Sequence, residues 1–276
     1  MEEKRKLRQL SLREIQLKEL ELLKKFDKFC QENHLEYFLC GGTLLGAIRH
    51  KGFIPWDDDI DVFMPRPEFG KLQKLLKKNN KLENAEFTSY FLKNSIYPFI
   101  KLEDINTFYE HDKSDLASHR IWIDIFAIDG FSNNKALDRL IITLVRIFKF
   151  MLLRVIKETS SIQGKSKLKM FCYRVTRPIA LLLPKTIWPR MMEIFSRTIS
   201  YEKSSWVGGI QWGYGLNEKL PKSEVQRVDV EFEGYIFPGL KCYKQYLTQL
   251  YGNYMELPPI EKRTIHVDKV FEFIDK

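Results

Sequence analysis

Apolar residues recur at helical spacing from residue 5 to 33, where Leu12, Ile15, Leu20, Leu23, Phe26 and Phe29 stand among lysines, arginines and glutamates. That period predicts one long amphipathic helix whose apolar stripe needs a partner surface. A short strand is expected around 37–39, running into Gly41-Gly42-Thr43 and then a short helix over 43–50. Alternation over 59–63 predicts a second strand, and Pro67 opens a helix that reaches residue 78. Further strands are expected at 96–102, 107–110 and 121–126. Together these make a small mixed sheet with helices on it, an α+β arrangement.

Past residue 133 the period becomes helical again, over 136–157, 167–183 and 188–200, punctuated by Gly164, Pro178, Pro184 and Pro189. The remainder is rich in aromatics and turns, with strands expected near 206–211 and 228–237 and a helix at 241–251. Three segments follow: a core with its N-terminal helix (1–132), a helical insertion (133–200), and a C-terminal part (201–276) that completes the core and the substrate site.

The run Asp57-Asp58-Asp59-Ile60-Asp61-Val62-Phe63 carries the most chemistry. On a strand Asp59 and Asp61 share one face while Ile60 and Val62 enter a core, which sets the two carboxylates about 7 Å apart. They repel unless a cation sits between them, and a hard ion such as Mg²⁺ or Mn²⁺ suits oxygen ligands. A solvated acidic turn is the plainer alternative, but a turn has no need to alternate with isoleucine and valine. Asp124 interrupts the apolar run Ile121-Trp122-Ile123-Asp124-Ile125-Phe126. A carboxylate there needs a partner: a metal shared with Asp59 and Asp61, a helix end, or Arg120. Asp57 and Asp58 are further candidates for metal binding or proton transfer. Gly41, Gly42 and Thr43 precede a helix and can face an anion with backbone N–H groups; Arg49 is suited to phosphate oxygens.

Composition narrows the class. With 44% hydrophobic and 13% aromatic residues in 276, the chain can build a packed core, which excludes disorder throughout. Four separated cysteines without a C-x-x-C pair imply reduced thiols, and the charged start MEEKRKLRQL shows no secretory signal; a cytoplasmic protein is expected. The net charge of +9 is concentrated: residues 139–200 hold thirteen Lys or Arg against Glu158 and Glu193, a net of 13 − 2 = +11. A peripheral contact with the inner membrane face through 139–200 is one reading, and solvated helix faces are the other. Nucleic acid is not expected, because there is no zinc-finger spacing or RNP-like run and the acidic strand without a metal repels a phosphate backbone.

The stretch from Gly41-Gly42-Thr43 through Arg49-His50-Lys51-Gly52-Phe53-Ile54-Pro55-Trp56 to Asp59-Ile60-Asp61 resembles the signature of the LicD family of phosphocholine transferases. Ile123-Asp124-Ile125-Phe126 with Asp129-Gly130 is similar to the family's second motif. Leu250-Tyr251-Gly252-Asn253-Tyr254-Met255 with Leu257-Pro258-Pro259, Arg263 and His266 is similar to its third. The resemblance implies a nucleotidyltransferase-like mixed sheet flanked by helices, with the segment 133–200 added. It also implies a metal-dependent enzyme that moves phosphocholine from CDP-choline to a sugar hydroxyl of a lipid-linked or polymeric bacterial glycan, teichoic acid or lipopolysaccharide. Ribitol or glycerol phosphate from its CDP donor, or a non-catalytic membrane-surface protein, are the alternatives. The implied site is Asp59, Asp61 and Asp124 as catalytic and metal-binding groups with Asp57, and Gly41, Gly42, Thr43, Arg49, Trp56, Tyr251, Tyr254, Arg263 and His266 around the donor. A choline head group also calls for aromatic faces; Trp206, Trp212, Tyr214, Tyr251 and Tyr254 are the candidates.

Overall fold

Ser11 and Glu14 decide where the first helix begins. The Ser11 N–H donates to Glu14 Oε2 at 2.8 Å while the Glu14 N–H donates to Ser11 Oγ, a reciprocal cap that starts α1 at Leu12 (Leu12–Glu32). The residues before it therefore run as strand β1 (Lys6–Gln9), and the helix expected from residue 5 is shorter than its apolar spacing suggests. The structure, a computed structural model, describes residues 6–109, 120–156, 167–263 and 269–274.

From α1 the chain passes through β2 (Phe38–Leu39), α2 (Gly41–His50), β3 (Ile60–Pro65) and α3 (Arg66–Leu76). Both glycines of the Gly41-Gly42 pair lie inside α2 rather than in a turn before it. Next come β4 (Lys81–Leu82), β5 (Ala85–Thr88), β6 (Ile100–Asp104), β7 (Thr107–Tyr109) and β8 (Trp122–Phe131). The helical segment comprises α4 (Lys135–Ile156), α5 (Lys167–Leu181) and α6 (Ile187–Ser196). Two strands follow, β9 (Trp206–Gly208) and β10 (Leu220–Pro221). The strand expected at 228–237 is a hairpin of β11 (Arg227–Phe232) and β12 (Tyr235–Leu240), turned at Glu233-Gly234 with positive φ at both. Helix α7 (Tyr243–Tyr251) and β13 (Val270–Ile274) complete an α+β fold.

The principal sheet is mixed. Strand β8 lies parallel to β3 in the register Ile60↔Ile123 to Pro65↔Ile128, and antiparallel to β6 and β9. Its apolar face, Ile60, Val62, Ile100, Leu102, Ile123 and Ile125, is fully buried and joins Leu23 and Phe26 of α1 in one core. A second apolar cluster holds α4, α5 and α6 together through Ile141, Val145, Leu152, Ala180, Trp188 and Met192. This core reaches the sheet at Phe131, where β8 ends just before α4. Strands β1 and β13 meet in a separate sheet, with β13 between β1 and β7.

A buried ion pair joins these layers. Arg66, at the start of α3, grips Asp129 of β8 in fork geometry, Nε to Oδ1 at 2.6 Å and Nη2 to Oδ2 at 2.7 Å. Asp129 of the second motif is thus a structural clamp, only 1% exposed.

Candidate active site

Register places the site's central groups. Asp61 of β3 is the cross-strand neighbour of Asp124 in β8, and Asp124 is the neighbour of Lys101 in β6. Neighbouring strands lie about 4.8 Å apart and registered side chains share a face. Lys101, Asp124 and Asp61 therefore form one row across three strands, on the face opposite the core. The Lys101 ammonium sits 2.9 Å from Asp124 Oδ1 and over the Trp122 ring at 3.8 Å, itself almost wholly buried. Arg120, the partner considered for Asp124 from sequence, pairs instead with Glu86 at 3.3 Å.

Asp61 is also held from below. Its N–H donates to Thr43 Oγ1 at 2.8 Å, and its carbonyl accepts from the Cys40 N–H at 3.1 Å. The Thr43 hydroxyl is thus committed to the strand that carries Asp61. Gly41, at φ +54, begins the helix against the Asp61 carboxylate: a Cβ there would stand 3.1 Å from Oδ2. At Gly42 a Cβ would stand 2.8 Å from Asp57 Oδ2. The two glycines let the helix end approach the carboxylates.

Asp59, Asp61 and Asp124 line one cavity of about 380 Å³. Its aromatic wall is Phe63, Phe126, Trp212, Tyr214 and Tyr246. Arg146 and Lys149 reach it from α4, which belongs to the helical segment rather than the sheet. The Lys149 ammonium lies 3.9 Å from the Trp212 ring centre and donates to the Trp212 carbonyl at 3.1 Å. Burial, and then the charge of Arg146, bring its pKa down to about 8.

Glu218, 3% exposed, closes the floor. It accepts from the Tyr214 N–H at 2.8 Å and the Tyr246 hydroxyl at 3.3 Å, and that hydroxyl accepts from the Gly41 N–H at 3.0 Å. A Cβ at Gly213 would stand 1.7 Å from Glu218 Oε2, so glycine alone allows this approach. Burial pushes the Glu218 carboxyl up to about 7.

Burial and mutual repulsion raise the acids at and beside the cavity. Burial, then the charges of Asp59 and Asp124, raise the Asp61 carboxyl well above the usual carboxylate range; burial raises Asp124 against the opposing pull of Lys101. Asp57 is pushed up to about 6 by burial and by Asp58. Glu19 of α1, fully within the interior, is raised by burial and then by Asp59, Asp58, Asp57 and Asp61, and its Oε2 has no hydrogen-bond partner among the described residues. Among the described residues no three His, Cys, Asp or Glu side chains close round a single point as a complete metal cage. Carboxylates spread along one wall nevertheless suit a hard divalent ion that keeps waters and substrate phosphates in its other positions. Asp59, Asp61 and Asp124 could hold such an ion.

Arg49, Trp56, Tyr251 and Tyr254 line a second pocket of about 430 Å³ together with Pro258 and others. Arg49 lines this pocket and not the carboxylate cavity. Its Nη1 donates to the carbonyls of Tyr254 at 2.7 Å and Glu256 at 3.1 Å, tying the third motif to α2. Arg263 stacks on Trp56, 4.5 Å from the ring centre. Trp206 packs in the helical cluster. His266 lies outside the described residues. Sequence reasoning missed Lys101, Arg146, Lys149 and Glu218. Only Lys101 carried a signal: a cation in the apolar strand Phe99-Ile100-Lys101-Leu102, matching the lone acid of β8.

A mixed sheet thus sets acids from two neighbouring strands beside a glycine-led helix. The family model described as LicD/FKTN/FKRP, nucleotidyltransferase domain, matches residues 34–137, which hold both strands. The chain is 33% identical over 267 residues to the lipopolysaccharide cholinephosphotransferase LicD of Haemophilus influenzae, an overlap of 94% of this chain and 97% of that protein. It belongs to the LicD family. An uncharacterized protein of Rickettsia typhi is 30% identical over 116 residues, 42% of this chain and 35% of its own length. Another from Rickettsia prowazekii is 37% identical over 62 residues, 22% of this chain and 23% of that protein.

Proposed function

We propose that this protein transfers phosphocholine from CDP-choline to a sugar hydroxyl of a cell-surface glycan, a lipopolysaccharide or teichoic acid precursor, with release of CMP. The observation that carries the reading is the in-register pair Asp61 and Asp124, facing Arg146 and Lys149 across one cavity. A diphosphate brings negative charge that the two cations can meet, and its other side needs a cation on the carboxylate wall. The near full-length likeness to the Haemophilus cholinephosphotransferase supports the choice of head group.

Asp59, Asp61 and Asp124 would hold Mg²⁺ or Mn²⁺, which supplies charge neutralisation for the diphosphate and the departing CMP. The sugar oxygen forms the new bond to the choline-bearing phosphorus, the bond from that phosphorus to the bridging oxygen breaks, that oxygen leaves with CMP, and the hydroxyl proton passes to solvent. Lys149 and Arg146 orient the phosphates from α4. Lys101 holds Asp124 in the row, and Thr43 with Gly41 sets the position of Asp61. Tyr214, exposed at the cavity, offers an aromatic face to a quaternary ammonium, which makes no hydrogen bonds and is held by cation–π attraction of roughly 0.5 to 2 kcal/mol per ring.

The test is CMP release from a panel of CDP-choline, CDP-ribitol and CDP-glycerol, with Mg²⁺ and a lipopolysaccharide or teichoic acid acceptor. CDP-choline should be the preferred donor. Release from CDP-ribitol or CDP-glycerol alone would replace the head group assignment, and release from none would remove the reaction.

A further inference from the structure

Helix α5 turns its apolar side away from the protein. Residues three and four apart stack on one face of a helix at 3.6 residues per turn. Phe171, Val175 and Ile179 follow that spacing, and Leu182 continues the stripe just past the helix end; they are 65%, 49%, 51% and 80% exposed. The opposite side is the one that packs. Tyr173 and Ala180 are fully buried there, and the Trp188 indole N–H donates to the Ala180 carbonyl at 3.1 Å, fastening the end of α5 to α6. Burying the small inner side therefore leaves the large apolar side in water, the reverse of an ordinary surface helix.

The charge around that stripe is of one sign. Between residues 159 and 192 the sequence has seven Lys or Arg and no Asp or Glu. Arg174 on the helix and Lys185 just beyond it are both exposed. A second copy of this face would set cations against cations, and a nucleic acid has no use for a ridge of Phe, Val, Ile and Leu. An anionic bilayer meets both demands, since it takes the apolar side chains below the headgroup level and the cations at it. No helix among the described residues is long and apolar enough to cross a membrane, so the contact lies in the plane of the surface.

We propose that the outer face of α5, Phe171, Val175, Ile179 and Leu182 flanked by Arg174 and Lys185, docks the protein on an anionic lipid bilayer. The inference stands on this surface alone and is independent of the reaction.

The experiment is flotation of the full-length protein with vesicles of phosphatidylcholine alone or with phosphatidylglycerol added. The protein should float with the anionic vesicles and do so less at high salt. A triple variant, Phe171→Glu with Ile179→Glu and Leu182→Glu, should lower the bound fraction by about tenfold or more. A second variant, Arg174→Glu with Lys185→Glu, should lower it while keeping the apolar stripe intact. Both should keep the wild-type unfolding temperature, since every altered side chain is exposed. The proposal is overturned if the wild-type protein stays with the unbound fraction, or if the triple variant floats as well as wild type. It is equally overturned if the protein sediments as a dimer that the triple variant disperses and neither form floats.

Discussion

Glu218→Gln is predicted to change sign in its effect on stability as pH rises. The carboxyl has a folded pKa of about 7, raised by burial, against roughly 4.3 in an unfolded chain. A carboxyl whose folded pKa is raised favours the folded state while protonated, so its contribution is fully present below pH 4 and is lost as pH climbs toward 7. Moving the carboxyl from roughly 4.3 to about 7, at 1.36 kcal/mol per tenfold in proton affinity, amounts to about 3 to 4 kcal/mol, present in wild type and absent from the variant. Glutamine keeps the shape but turns an NH₂ toward one of the two donors, the Tyr214 N–H or the Tyr246 hydroxyl. That mismatch costs about 1 to 3 kcal/mol at any pH. The variant should therefore be less stable than wild type near pH 4 and as stable or more stable near pH 8. Urea unfolding followed by tryptophan fluorescence at a series of pH values measures the difference directly. A difference that stays constant from pH 4 to pH 8 would refute the reasoning, because it would mean that the buried carboxyl carries no titration penalty.

Two other predictions follow from the same geometry. Arg66→Ala strands the buried Asp129 charge and should destabilise the fold by about 3 to 5 kcal/mol in urea unfolding, whereas replacing both partners with leucine should cost less. Lys149→Met should lower kcat/KM by about tenfold to a hundredfold. Because the Lys149 ammonium has a pKa of about 8, it is present below that pH and lost above it. Wild-type kcat/KM should accordingly fall as pH rises through 8, and the methionine variant should lack that limb.

What could be read from the sequence was local. Alternation at Ile60-Asp61-Val62 and Ile123-Asp124-Ile125 located both acid-bearing strands and which side chains enter the core. The Ser11-x-x-Glu14 cap was equally present in the sequence, but the strong helical period of the residues around it hid the break before α1. The rest depends on packing between distant segments. Strand β1 exists because β13, from the other end of the chain, supplies its edge. Lys101 becomes Asp124's partner only through the β6–β8 register. Arg146 and Lys149 look like ordinary charges on a basic helix until the core of α4, α5 and α6 fixes which side of α4 meets the sheet. Arg49 reads in the sequence as a phosphate ligand because a guanidinium suits phosphate; that its Nη1 also ties backbone carbonyls of the third motif to α2 is visible only in the fold.

The central claim is that the carboxylates of the β3–β8 row serve transfer rather than folding, and Asp61→Asn separates the two. Burial and like charges hold the Asp61 carboxyl well above its usual range, so a neutral amide of the same shape relieves repulsion in the metal-free protein. With purified wild type and variant, CMP formation from CDP-choline in Mg²⁺ should fall by about a thousandfold or more, while the unfolding midpoint in chelator stays equal or rises. Retained CMP formation in the asparagine variant would contradict the account.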